Sequence, residues 1–154
     1  MMILPPASWL TGLVAGAVLV VLTPGDLRGA TSPQEDEWPT FRPGRWEFTR
    51  TLEMVGGPAK PTKLTRTACV DPTSEMKKQN EVLVKGGCRL KPVVRRGEAY
   101  TFSASCTVQG RPSTTTSVLT ARGQDSYTVD VEARVGDQET RETLSARRLG
   151  DCEL

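Results

Sequence analysis

Cys88-Arg-Leu-Lys-Pro-Val-Val-Arg-Arg-Gly-Glu-Ala-Tyr-Thr-Phe-Ser-Ala-Ser-Cys106 is the stretch that decides the fold. Gly97 stands at its midpoint, nine residues from either cysteine. Side chains alternate between the two faces of a strand, so a turn at Gly97 brings both cysteines to one face of a hairpin. The side chains expected on that face are Cys88, Leu90, Val94, Tyr100, Phe102, Ala104 and Cys106. The pattern predicts a hairpin at the centre of a small, oxidised β domain.

Alternation of apolar and polar residues on both sides of the hairpin predicts further strands. They are expected at residues 43–54, 63–70, 113–121, 126–135 and 139–148. Asp71 can cap free helical amides and Pro72 suits the first helical position, so a short helix is predicted over about 72–80. The sequence thus predicts a mostly β fold, an antiparallel meander of about seven strands curled into an open barrel or half-barrel.

The N-terminal part of the chain is typical of an exported protein. Residues 10–22 form a 13-residue apolar run, which suits a signal-peptide core and is short for a bilayer span of about 20 residues. Residues 1–30 are therefore predicted to be a signal helix cleaved near Ala30, leaving a periplasmic or secreted protein with no membrane span in the mature form. The alternative is an uncleaved segment that anchors the protein to a membrane.

A polar segment rich in proline follows at residues 31–43 and is interpreted as a flexible linker before a disulfide-stapled β domain at 44–152. Trp38 and Phe41 are unusual in such a linker. They are expected either to seal one end of the domain or to be exposed to a partner.

Composition excludes several classes of function. The chain of 154 residues suits one domain, and its 20 basic and 18 acidic residues give a net charge of +2. Nucleic-acid binding normally needs a clustered basic face, so it is not expected. The chain has no histidine, which removes Ser-His-Asp and Cys-His catalysis and histidine metal sites. No cofactor and no metal are predicted.

The four cysteines predict two structural disulfides, because none forms a Cys-x-x-Cys pair and the protein is expected to be exported. The hairpin register favours a Cys88–Cys106 bond, which leaves Cys69 to pair with Cys152. A slip of one residue would point the hairpin cysteines to opposite faces. The alternative pairing, Cys69–Cys88 with Cys106–Cys152, therefore stays open.

Several short motifs occur in an order that resembles a known family. Arg42-Pro-Gly-Arg-Trp-Glu47 opens the domain, Thr67-Ala-Cys-Val-Asp-Pro72 follows, and Arg147-Arg-Leu-Gly-Asp-Cys152 closes it after the Gly97 hairpin. From about residue 43 to residue 152 the chain resembles the bacterial secreted family called domain of unknown function 3617. The resemblance implies export and a small β domain. It implies no activity, and the family's functional residues are not defined.

The apolar face of the predicted sheet is the one candidate binding surface. It is expected to fill the core or to line a pocket for a small apolar ligand. The candidate pocket residues are Trp46, Phe48, Leu52, Met54, Tyr100, Phe102, Tyr127 and Val129. Four carboxylates are expected on outward strand positions, which argues against an acid–base pair: Glu53, Asp130, Glu132 and Glu142.

The leading hypothesis is a non-enzymatic envelope binding module for a small apolar ligand or a protein partner. The alternative is a structural or stress-related accessory protein without a ligand pocket. A closed apolar pocket of several hundred Å³ would favour the small ligand, and a solid core would exclude it.

Overall fold

The computed structural model describes residues 34–35 and 37–153. The predicted signal helix at residues 1–30 lies outside these residues. The described elements are β1 (Gln34–Glu35), β2 (Gly44–Met54), β3 (Thr62–Val70), α1 (Pro72–Lys85), β4 (Arg89–Leu90), β5 (Val94–Arg96), β6 (Ala99–Val108), β7 (Arg111–Arg122), β8 (Ser126–Val135) and β9 (Gln138–Gly150).

The strands form one antiparallel sheet in the order β1-β5-β6-β7-β8-β9-β2-β3, with the short β4 also paired to β6. The first and last long strands, β2 and β9, lie side by side over almost their whole length. The two ends of this order, β1 and β3, are not paired with each other, so the sheet is not closed. The prediction of a mostly β, open antiparallel fold with one helix is confirmed.

The central hairpin has the predicted turn but a register shift in its first arm. Gly97 takes a positive φ of 62° at the turn, a conformation that suits glycine. Leu90 pairs with Ala104 as expected, but Arg95 and not Val94 lies opposite Tyr100. Pro92 has no amide to donate to the ladder, and the strand is interrupted there between β4 and β5. The prediction for Val94 is therefore wrong, and its neighbour Val93 is buried instead.

Both predicted disulfides of the first pairing are present. Cys88 bonds to Cys106 with a Cα–Cα distance of 4.3 Å, and Cys69 bonds to Cys152 at 5.7 Å. The alternative pairing is wrong. The first bond crosslinks the hairpin, whereas the second ties the edge strand β3 to the chain just after β9.

The core is concentrated at one end of the sheet, on the face that carries Trp46, called the inner face below. Aromatic rings fill it: the centroids of Phe41 and Tyr127 are 4.6 Å apart, and those of Trp46 and Tyr127 are 5.7 Å apart. The indole N–H of Trp46 donates to the Arg42 carbonyl at 3.0 Å. The buried apolar residues are Phe41, Trp46, Phe48, Val93, Tyr100, Leu119, Tyr127 and Ala146.

Residues before β2 belong to this core. Phe41 is 3% exposed, and its backbone N–H donates to the Thr73 hydroxyl at 2.9 Å. That hydroxyl in turn donates to the Pro39 carbonyl at 3.1 Å. Trp38 packs beside Phe102, with ring centroids 5.4 Å apart. The packed part of the chain therefore begins before residue 44, and the segment 38–43 is not a free linker because its apolar side chains close one end of the core.

Helix α1 begins as predicted and runs one turn and a half further. The Asp71 carboxylate accepts from the Ser74 amide at 3.1 Å, and Pro72 occupies the first turn. The helix ends at Lys85, not near residue 80, and Gly87 then takes a positive φ of 88°. Because Gly87 can adopt this conformation without a Cβ clash, the chain reverses there toward Cys88.

Candidate functional site

Strand β3 is an edge strand with one neighbour. All nine of its residues pair with β2, and no other described strand lies along its outer side. In an antiparallel ladder an edge strand directs alternate backbone N–H and C=O groups away from its partner. Residues 62–67 are all exposed. The outer side of β3 therefore offers a row of backbone donors and acceptors to a further strand.

Exposed apolar side chains lie next to this edge on the inner face. Leu64 is 63% exposed, and Leu52 and Met54 are each 42% exposed. Leu64 lies opposite Arg50 and Thr62 lies opposite Leu52, so the three apolar residues share one face of adjacent strands. The aromatic core covers the other end of this face and stops at Phe48. We call Leu52, Met54 and Leu64 the open patch.

An ion pair separates the core from the open patch. The Arg50 guanidinium donates to both carboxylate oxygens of Glu142, with Nη2–Oε2 and Nε–Oε1 distances of 2.6 Å each. Hydrogen bonding to Glu142 raises the pKa of Arg50 above its usual value, which burial partly opposes. Glu142 lies opposite Leu52 and its side chain is 17% exposed. Its predicted outward position is therefore wrong, because the β2–β9 register turns it to the inner face.

Basic side chains flank the free edge. Lys63 lies on the outer face of β3 and Arg66 on the inner face, with Lys60 just before the strand. Among residues 37–153, none of the three has a carboxylate within 4.0 Å. The Arg66 guanidinium lies 5.2 Å from the centroid of the Phe48 ring. This side of the sheet therefore carries positive charge that the described part of the chain does not neutralise.

The opposite end of the sheet order is covered by the chain itself. The short β1 pairs with β5, matching Gln34 to Arg95 and Glu35 to Val94. Two residues after β1, Glu37 forms an ion pair with Arg95. Arg95 also lies over the Tyr100 ring, 5.4 Å from its centroid. One edge of the sheet is thus occupied by an acidic segment of this chain, whereas β3 has no such cover among the described residues.

The eight predicted pocket residues divide into two groups. Trp46, Phe48, Tyr100 and Tyr127 are buried in the core, and Phe102 and Val129 pack against it. Leu52 and Met54 lie in the open patch. Two clefts of about 420 and 320 Å³ are open to solvent, and of the eight residues they include only Met54 and Tyr100. The predicted residues therefore form a packed core and a surface patch.

The other perturbed ionisable groups belong to ion pairs or to the core. A hydrogen bond from Arg42 lowers the pKa of Asp125, and one from Arg134 lowers the pKa of Glu139. Burial raises the pKa of Tyr127 to about 12, with a smaller opposing effect of Arg66. Carboxyls held ionised in this way are unsuited to donate a proton near neutral pH.

Metal and membrane features are also absent from the part of the chain that the structure describes. Within residues 37–153, no group of three or more cysteine, aspartate or glutamate side chains could hold a metal ion. Over the same residues, no helix has the length and apolar character needed to cross a bilayer.

The motifs at both ends of the domain are matched by one family. A family described as "Protein of unknown function (DUF3617)" matches residues 41–152, which is most of the chain. The chain belongs to the DUF3617 family. No curated protein and no solved structure matches this DUF3617 chain. The match begins at Phe41, which is one of the buried core residues.

Sequence reasoning identified β3 and named two residues of the open patch, Leu52 and Met54, but it did not identify the free edge. The alternation in residues 63–70 predicted β3, yet only the sheet order shows that this strand is an edge. Leu64, Lys63 and Arg66 were not singled out. No local signal marked β3 as an edge, because its two large apolar residues, Leu64 and Val70, equal the number in the predicted strand at 113–121.

Proposed function

We propose that this DUF3617 protein is an exported, non-enzymatic binding module that holds a segment of a partner protein against the open part of its sheet. The observation that carries the proposal is the juxtaposition of the unpaired β3 edge with the open patch. Strand addition at a sheet edge is a recurrent mode of peptide recognition, in which backbone hydrogen bonds give affinity and side-chain contacts give specificity.

A protein segment suits this surface better than a small apolar ligand. Pockets for small ligands enclose most of the ligand surface, whereas the aromatic rings of the DUF3617 core are packed against one another. Leu52 and Leu64 line an open face and not a cavity. The main alternative is a purely structural accessory protein. That alternative assigns no binding role to the β3 edge or to the open patch.

Export is supported by the crosslinks and by the N-terminal sequence. Two disulfides with no free cysteine among the described residues are typical of an oxidising compartment such as the periplasm or the extracellular space. The apolar run at residues 10–22 has the length of a signal-peptide core. Fractionation of cells that express the full chain, with mass measurement of the mature N terminus, tests this part of the proposal.

Site-specific photo-crosslinking tests the binding surface. A benzophenone amino acid placed at Leu64 should capture a partner protein in cells that express the full chain. Val118 is the matched control, since it is an apolar strand residue 37% exposed on the opposite face of the sheet. Capture at position 64 and not at position 118 supports the proposal. Equal capture at both positions, or none at 64 in correctly oxidised protein, would contradict it.

A further inference from the structure

We infer that the segment bound by this protein is an acidic, extended stretch of the partner chain that adds to β3 as a further strand. The inference rests on the proposed function and specifies the chemistry of the partner. It follows from the charge around the free edge, from the apolar side chain between those charges, and from the way the chain covers its other edge.

The charges flank the free edge on both faces of the sheet. Lys63 points to the outer face, and Arg66, three residues later, points to the inner face. A strand lying beside β3 also alternates its side chains between these faces. Carboxylates on both faces of the added strand would therefore reach a positive partner, and basic side chains there would be repelled.

The same charges disfavour a second copy of this chain as the occupant. Directly opposite residues of an antiparallel pair share a face, so two β3 edges paired about Lys63 would place the two copies of Lys63 opposite each other, and two edges paired about Arg66 would do the same for Arg66. Like charges directly opposite each other destabilise a strand pair, and lysine on an edge strand is a common device against self-association. The charges of the edge therefore disfavour pairing with its own copies and favour a strand of opposite charge.

Leu64 adds an apolar requirement. It lies between Lys63 and Arg66 in the sequence, on the inner face, and it is 63% exposed. An apolar side chain of the added strand on that face would cover Leu64. A fitting segment therefore combines at least one apolar residue with acidic residues.

The other edge of the sheet provides an internal example of the same arrangement. There the acidic segment that contains β1 and Glu37 lies along β5, whose Arg95 forms the ion pair with Glu37. At β3 the Cys69–Cys152 bond ties one end of the strand, leaving residues 62–68 free. These seven residues span about 23 Å, so the bound stretch has about seven residues.

Synthetic peptides test the inference on the oxidised mature protein. A fluorescent nine-residue peptide in which pairs of valines alternate with pairs of glutamates carries carboxylates on both faces of a strand. It should bind about tenfold more tightly at low salt than the matched valine–lysine peptide. The difference should shrink at high salt, because exposed charges are screened. The valine–glutamate peptide with alternate backbone N-methyl groups, in both registers, should lose binding, since its backbone can no longer pair with β3.

A charge-reversed variant supplies a result that misfolding cannot produce. Lys63→Glu with Arg66→Glu should invert the preference, so that the valine–lysine peptide becomes the tighter ligand. Lys85→Glu with Arg122→Glu makes the same change in net charge at exposed positions away from β3 and should keep the original preference. Circular dichroism and thiol counting establish that both variants are folded and oxidised.

The outcomes separate this inference from the proposed function. Equal binding of both peptides, undiminished binding of the N-methylated peptide, or no inversion in the reversed variant would overturn the inference. If position 64 still captures a partner protein in cells, the proposed function stands and only the acidic, strand-adding chemistry is lost. If neither capture nor acidic-peptide binding occurs, both proposals fail.

Discussion

Removing the Cys69–Cys152 bond should destabilise the protein more than removing the hairpin bond. The first closes a loop of 83 residues and the second a loop of 18. In the chain-entropy model these loops correspond to about 4.5 and about 3.2 kcal/mol of stabilisation. Cys69 and Cys152 are both exposed, so their replacement by serine leaves no buried cavity. Against a typical total of about 5–15 kcal/mol, the larger loss is severe.

Urea unfolding followed by circular dichroism measures these two losses in Cys69→Ser/Cys152→Ser and in Cys88→Ser/Cys106→Ser. Hydrogen exchange adds a local readout. Loss of the long crosslink should reduce protection in β3, which then has only β2 to hold it, and should leave β6 protected between its neighbours. A smaller loss for the long crosslink than for the hairpin crosslink, or uniform loss of protection, would refute the reasoning.

Three further predictions concern the core and the ion pairs. Phe41→Ala should cost about 3–5 kcal/mol in urea unfolding because Phe41 is buried; a cost below about 0.5 kcal/mol would show that residue 41 is a free linker position. Burial raises the pKa of Tyr127 to about 12 in the folded state, so the stability gained from its neutral phenol is complete below the unfolded pKa of about 10 and is lost as pH rises from there to about 12. Tyr127→Phe should therefore lessen the fall of the urea unfolding midpoint at alkaline pH. An unchanged fall would contradict this. The pKa of Asp125 is lowered by Arg42, so this ion pair stabilises the fold above about pH 4 and loses its effect as pH falls below that value. Asp125→Asn should therefore reduce the fall of the unfolding midpoint at acid pH. An identical fall in the variant would count against a stabilising role of the pair.

Local pattern predicted most of the strands and the crosslinks but could not predict how the strands are ordered. The alternation of β8 and the turn at Gly97 are local signals, and both hold in the structure. The pairing of β2 with β9 joins residues about a hundred positions apart, and no local pattern encodes it. The inward position of Glu142 and the edge position of β3 both follow from that pairing, which is why the sequence missed them.

The exposed edge of the candidate site was missed for a related physical reason. Burial patterns indicate which side chains fill a core, so they drew attention to Trp46 and Tyr127. A binding surface on an open sheet depends instead on what is left uncovered, as at Leu64. That property belongs to the assembled sheet and not to any single strand. The shift at Val94 shows the same limit, because one proline altered which side chain faces the core.

The position of Cys152 in the chain has a consequence for the order in which the protein matures. During synthesis Cys106 follows Cys88 by 18 residues, whereas Cys152 follows Cys69 by 83 residues. Until Cys106 emerges, the nearest thiol to Cys69 is Cys88, only 19 residues away. We expect early oxidation to join these two and later thiol–disulfide exchange to correct them. The edge strand β3 is therefore the last to be crosslinked, because its native disulfide forms only after every other strand of the sheet has been synthesised.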